Sequence, residues 1–188
     1  MMLLDEKVAA LAKALDGARI PHAFGGAIAL AYYATPRGTH DVDINVFLPA
    51  EAFERVLAAL QPLGVEPPDA RMRRRLEREE QMQLVWDRTP LDLFFSYTEL
   101  HDACMQRRRR VPFGPEQIAI LSPEDLAIFK VLFAREKDWR DLREMLLAQA
   151  PGLDVAYATG WLERIVPPGD ERLARFRSLS GPPAPPAG

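Results

Sequence analysis

Cysteine is almost absent from these 188 residues. Cys104 is the only one, which excludes an internal disulfide and a cysteine-based zinc site and suits a reducing compartment. No stretch reaches the ~18 to 20 apolar residues that a bilayer span requires. The first residues meet acid at once, at Asp5 and Glu6, where a secretory leader would carry basic and then unbroken apolar positions. These absences lead us to expect an intracellular, cytoplasmic protein with no membrane attachment. An excess of positive charge is missing too: the formal net charge of −3 argues against a generally basic nucleic-acid binder, although it is blind to local patches. His22, His40 and His101 lack metal-ligand spacing, and a structural or incidental role is expected for each. There is no Gly-x-x-x-x-Gly-Lys-Ser/Thr phosphate loop and no Gly-x-Ser-x-Gly nucleophile elbow, so two common enzyme classes drop out.

What is present centres on two neighbouring stretches. Gly25-Gly26 opens the apolar run Ala27 to Tyr33, and Arg37-Gly38-Thr39-His40-Asp41 leads into Val42-Asp43-Ile44-Asn45-Val46. The first reads as a helix reaching about Tyr33, the second as a strand from Asp41 to Leu48. Strand side chains alternate, so Asp41 and Asp43 share one face while Val42, Ile44 and Val46 enter a core. Two carboxylates on one face are half of a magnesium site, because Mg²⁺ takes oxygen ligands and usually only one or two protein carboxylates. Glycines before a helix supply amides that attract anions and let a phosphate approach closely. Further on, Asp92 interrupts the apolar run Leu91 to Phe95. A charge there is costly to bury unless paired or metal-bound, with an edge-of-sheet position as the alternative.

Elsewhere the chain reads as helix and strand in alternation. Leu4, Val8, Leu11 and Leu15 recur at helical spacing, as do Phe53, Leu57 and Leu60. Gln81 to Trp86 and Leu91 to Phe95 read as strands joined by a turn at Arg88-Thr89-Pro90, and residues 97–106 as a helix. Ser122-Pro123-Glu124-Asp125 combines a cap residue, proline at the first helical position and a capping acid. If that helix runs unbroken, Lys130, Lys137 and Asp138 lie near one face. A last helix is expected over residues 154–165. The charged run Arg71 to Arg78 reads as a solvated face; Arg107 to Arg110 either faces a triphosphate or RNA, or complements a helix end. Length allows one domain, or a core with a helical appendage: a core over 1–120, a helical section over 121–166 packed on it, and a Pro- and Gly-rich tail over 167–188, largely disordered.

The glycine pair, the following helix and the Asp-x-Asp strand resemble the nucleotidyltransferase superfamily, the polymerase-β-like fold, over residues 20–145. Within it the chain looks most like the bacterial group of abortive-infection nucleotidyltransferase toxins and aminoglycoside-nucleotidyltransferase-like proteins. The resemblance implies an α/β (α+β) fold, a small mixed sheet with flanking helices and a C-terminal helical section. It also implies an enzyme transferring a nucleoside monophosphate from a nucleoside triphosphate to an acceptor hydroxyl on RNA, protein or a small molecule. Asp41, Asp43 and Asp92 would be the catalytic, metal-holding residues for two Mg²⁺ ions. Gly25, Gly26, Arg37, Thr39, Lys130 and Asp138 would bind nucleotide, Lys130 contacting phosphate and Asp138 supporting it. Gly26 stands where many relatives have serine, leaving a hydroxyl contact to Thr39. For Lys130 the alternative is a lysine whose stem packs and whose charge is solvated. The implied setting includes a toxin with an antitoxin partner; the competing class is a non-catalytic nucleotide-binding or interaction domain.

Overall fold

The apolar periodicities of this chain assemble, in a computed structural model describing residues 2–150 and 152–181, into two compact units. One comprises Met1–Ala31 and Pro36–Ser122, the other Tyr32–Thr35 and Pro123–Gly188. The architecture is mixed α/β. Among the described residues no helix is long and apolar enough to cross a membrane.

The first unit is built on a six-stranded mixed sheet. Its strands are β1 (His22–Phe24), β2 (Val42–Val46), β3 (Gln81–Trp86), β4 (Thr89–Phe95), β5 (Arg109–Phe113) and β6 (Glu116–Ile120), in the order β3-β4-β2-β1-β6-β5. β2 runs parallel to β4 and antiparallel to β1, and β1 runs parallel to β6. Alternation decides which face is core. Met82, Leu84, Trp86, Leu91, Leu93, Phe95, Val42, Ile44 and Val46 are all buried. Helix α1 (Leu4–Gly17) buries Val8, Leu11 and Leu15, and α3 (Phe53–Leu60) sets Phe53 edge-on to Phe95 with ring centroids 6.2 Å apart.

Three local outcomes differ from the sequence expectation. The β3–β4 turn is Asp87-Arg88, both at positive φ (44° and 65°), so Thr89 and Pro90 already belong to β4; two-residue hairpin turns need that conformation. Lys7 secures this turn from α1, its buried ammonium donating to Trp86 O (2.9 Å), Asp87 O (3.0 Å) and Thr89 Oγ1 (2.8 Å). Residues 70–79 form helix α4 (Ala70–Glu79), started by Asp69, whose Oδ1 accepts from the Met72 amide at 2.7 Å. The β5–β6 hairpin was not anticipated, because β5 is an edge strand whose arginines and Pro112 mask its alternation. Of the run Arg107 to Arg110, Arg107 ends α5 (Glu99–Arg107) while Arg109 and Arg110 lie in β5.

His22 is buried in β1, Nδ1 donating to Ile20 O at 2.9 Å. Burial holds its pKa below the ordinary 6.5, and burial acts the same way on His101. Such groups are neutral in the fold and take protons more readily when unfolded. Stability is therefore full above pH ~6.5 and falls as pH drops below it, by about 1.4 kcal/mol for each unit of depression. Urea unfolding at pH 7.5 and 5.5 is expected to show this loss, and His22→Phe to reduce it; an unchanged pH slope in the variant would count against a neutral His22.

The second unit is helical: α6 (Pro123–Phe133), α7 (Glu136–Gln149), α8 (Val155–Ile165) and α9 (Glu171–Ser180). The helix opening at residue 123 does not run on to Asp138. Ala134 adopts φ 54° and ends it, so Lys130 and Asp138 sit on successive helices. Buried acids of α6 are satisfied within the unit, Asp125 Oδ1 accepting from Tyr157 Oη at 3.1 Å and Glu124 Oε1 from the Asp154 amide at 3.3 Å. A disordered tail from residue 167 is corrected in part. Residues 171–180 form α9, which buries Leu173 and Phe176 and is started by Asp170 accepting from the Arg172 amide at 2.8 Å. Residues 182–188 lie outside the described residues.

Candidate active site

β1 ends by delivering Gly25 onto β2, where the Gly25 amide donates to Asp43 O at 2.9 Å. Gly26 follows at φ 49°, and a Cβ there would lie 1.7 Å from Asp43 Oδ2. Both the left-handed backbone and the space taken by the carboxylate call for glycine. A serine at this position would have to displace Asp43. Helix α2 (Gly26–Leu30) is shorter than expected, giving way to a turn over residues 31–33.

The strand register brings the acids together. Asp43 on β2 is directly opposite Asp92 on the parallel strand β4, and Asp92 is directly opposite Gln83 on β3. Neighbouring strands lie ~4.8 Å apart and paired residues project to the same face. Gln83, Asp92 and Asp43 therefore form one row on the face away from the core, in line with Gly25. Gln83 Nε2 donates to Asp92 Oδ1 at 2.8 Å. Asp41 immediately precedes β2, half-buried, and its Oδ1 accepts from the Thr39 hydroxyl. Thr39 is thus tied to an acid. Arg37 is exposed on the same loop.

Among the described residues, no three His, Cys, Asp or Glu side chains are gathered at metal-holding spacing. Asp41 is hydrogen-bonded by the Thr39 hydroxyl and Asp92 by the Gln83 amide. The oxygen-only donors of the Asp43–Asp92 pair, beside a glycine whose absent Cβ leaves the carboxylate accessible, nonetheless fit a hard divalent cation that takes one or two protein carboxylates.

Lys130 and Asp138 come together in the second unit. Lys130 Nζ lies 2.7 Å from Asp141 Oδ2 and 3.7 Å from Asp138 Oδ1, and Arg135 Nε lies 2.6 Å from Asp138 Oδ2. Lys130, Asp138 and Asp141 are all buried, so the solvated-lysine alternative does not describe Lys130. Asp141 was missed because one unbroken helix was assumed; α7 places it three residues beyond Asp138, on the same side. Gln83 and the buried Asn45, whose Nδ2 a Gly25 Cβ would approach to 3.0 Å, were missed as well. Outward-facing polar residues carry no periodic signal until register is known.

This fold is shared with solved structures. ANT(2″)-Ia in complex with adenylyl-2″-tobramycin matches with TM-score 0.62 at 13% identity, over 94% of this chain and 98% of that one. The solution structure of the antibiotic-resistance factor ANT(2″)-Ia matches with TM-score 0.53 at 15% identity, over 90% and 86%. A protein from H. pylori described as a candidate nucleotidyltransferase matches with TM-score 0.50 at 18% identity, over 94% and 91%. Among curated proteins none matches in sequence. At the level of family, the model described as nucleotidyltransferase of unknown function (DUF6036) matches residues 1–158. That span includes the glycine pair and all three aspartates, and the chain belongs to this family of nucleotidyltransferases.

Proposed function

We propose that the chain transfers a nucleoside monophosphate from a nucleoside triphosphate to the hydroxyl of a small, polyhydroxylated acceptor of neutral or cationic character. The observation that carries this reading is the Asp43–Asp92 register beside Gly25-Gly26. The acceptor oxygen attacks the α-phosphorus, its proton passes to Asp92, and pyrophosphate leaves. Asp41, Asp43 and Asp92 would hold Mg²⁺, two ions in all, which would supply charge neutralisation and polarisation of the phosphoryl group. The Gly26 amide receives triphosphate oxygens, with Gly25 opening the close approach, Arg37 adds positive charge, and Thr39 orients Asp41. Lys130 and Asp138 are assigned to nucleotide binding within the second unit. Little covalent work is asked of the protein; positioning and electrostatics supply most of the acceleration.

The acceptor class rests on where positive charge lies in the first unit. The outward positions of β3 are Gln81, Gln83 and Val85. Arg73 of α4 pairs with Glu54 and covers the Phe53 ring, on the core side of the sheet. Arg109 and Arg110 are on β5, four strand spacings or about 19 Å from β4, and Arg110 is paired with Asp16 at 2.8 Å. A polyanionic RNA would meet few of these cations beside Asp92. The test is incubation with each α-labelled nucleoside triphosphate, Mg²⁺ and cell extract or an aminoglycoside panel. Label on a small aminated or hydroxylated compound is the expected result. Label on RNA or protein would move the chain to the toxin-like alternative with an antitoxin partner. Nucleotide binding with no pyrophosphate release would overturn the transferase reading.

A further inference from the structure

An outward-facing glutamine on an edge strand is ordinarily a solvated residue that blunts strand pairing. Gln83 is placed more specifically. It is the antiparallel partner of Asp92, its Nε2 lies 2.8 Å from Asp92 Oδ1, and Asp92 is itself the parallel partner of Asp43. An ionised carboxylate only accepts hydrogen bonds, so the amide must present its NH₂ group. That bond occupies one oxygen of Asp92 from the side opposite Asp43. It restricts rotation about the terminal bond of the side chain, a torsion that is otherwise broad, and leaves Oδ2 as the oxygen offered to the reacting groups. Asp92 has no arginine or lysine across either ladder to do this: its partners are Gln83 and Asp43. We propose that Gln83 is a positioning residue for Asp92, holding the carboxylate in the one orientation useful for accepting the acceptor's proton and for binding Mg²⁺. The assignment rests on the transferase reading above.

A glutamine has the right chemistry for this task. It is neutral, so it does not cancel the carboxylate's charge as an arginine would, and its reach matches a directly opposed strand neighbour. Residues that orient metal-binding carboxylates commonly cost 10- to 100-fold in affinity or activity when removed.

The experiment, at pH 8, compares wild type with Gln83→Met, which keeps length and loses the donor, and Gln83→His, whose neutral imidazole Nε2–H restores an uncharged donor of similar reach. Pyrophosphate release is measured as kcat and KM, and Mg²⁺ affinity by calorimetry in the presence of a non-hydrolysable ATP analogue. For Gln83→Met we expect kcat to fall about tenfold or more and Mg²⁺ to bind about tenfold more weakly. KM for the nucleotide should change less than about twofold, with an unchanged melting temperature. Gln83→His should recover most of both losses. Wild-type kcat and Mg²⁺ affinity in Gln83→Met, or losses that track a lower melting temperature and are not recovered by histidine, would overturn the positioning role alone. A wild-type protein that releases no pyrophosphate with any triphosphate and acceptor would overturn the transferase reading and this assignment with it.

Discussion

Replacing Lys130 by methionine is expected to destabilise the protein by about 3–5 kcal/mol, the usual cost of removing one partner of a buried ion pair. The substitution keeps the stem but removes the charge, and the cost arises because the Lys130 side chain is only 4% exposed and its ammonium lies against Asp141 and Asp138, themselves buried. Asp138 keeps Arg135 when the lysine is lost, so the effect falls mainly on Asp141, which the ammonium approaches more closely, at 2.7 Å. Urea unfolding of Lys130→Met, Asp141→Leu and the double variant decides it. Each single variant should be strongly destabilised, and the double variant should recover much of the loss, since apolar replacement of a whole buried pair is often neutral or better. A loss below about 0.5 kcal/mol in Lys130→Met would show that the cluster is hydrated and energetically slack.

Asp43→Asn should have the largest effect on activity, lowering the rate of transfer by about 10² to 10³ or more, the scale for losing one preorganised electrostatic contact at a reacting centre. The fold should survive, because Asp43 lies on the outward face of β2 while Val42, Ile44 and Val46 hold the core. Removing one of two like charges directly opposite each other should even raise stability without metal, by about 0.2–1 kcal/mol. Thermal melts with and without Mg²⁺ plus ATP, alongside pyrophosphate release, read both effects. An undiminished Mg²⁺- and nucleotide-dependent shift together with normal turnover would remove Asp43 from the site.

Much of the first unit was legible because its signals are local. The period of α1, the alternation of β2, β3 and β4, and a glycine pair ahead of an Asp-x-Asp strand are all patterns within about twenty residues. The edge hairpin β5–β6 was not legible, since exposed arginines and a proline leave no alternation to read. Helix α9 was hidden for another reason: Leu173 and Phe176 are too sparse among charged residues to outweigh the prolines on either side.

The sequence by itself determined the residue chemistry of the candidate site and its local framework. Three aspartates, two of them spaced Asp-x-Asp, and glycines where a backbone must approach closely are covalent facts that local conformation turns into a face and a turn. Only the tertiary structure decided the pairings: Asp43 opposite Asp92, Gln83 beside it, the Gly26 Cα against the Asp43 carboxylate, and Lys130 turned to Asp141 across the break at Ala134. Strand register and helix ends depend on burial summed over many distant residues, and a shift of one position would send each acid to the other face of the sheet.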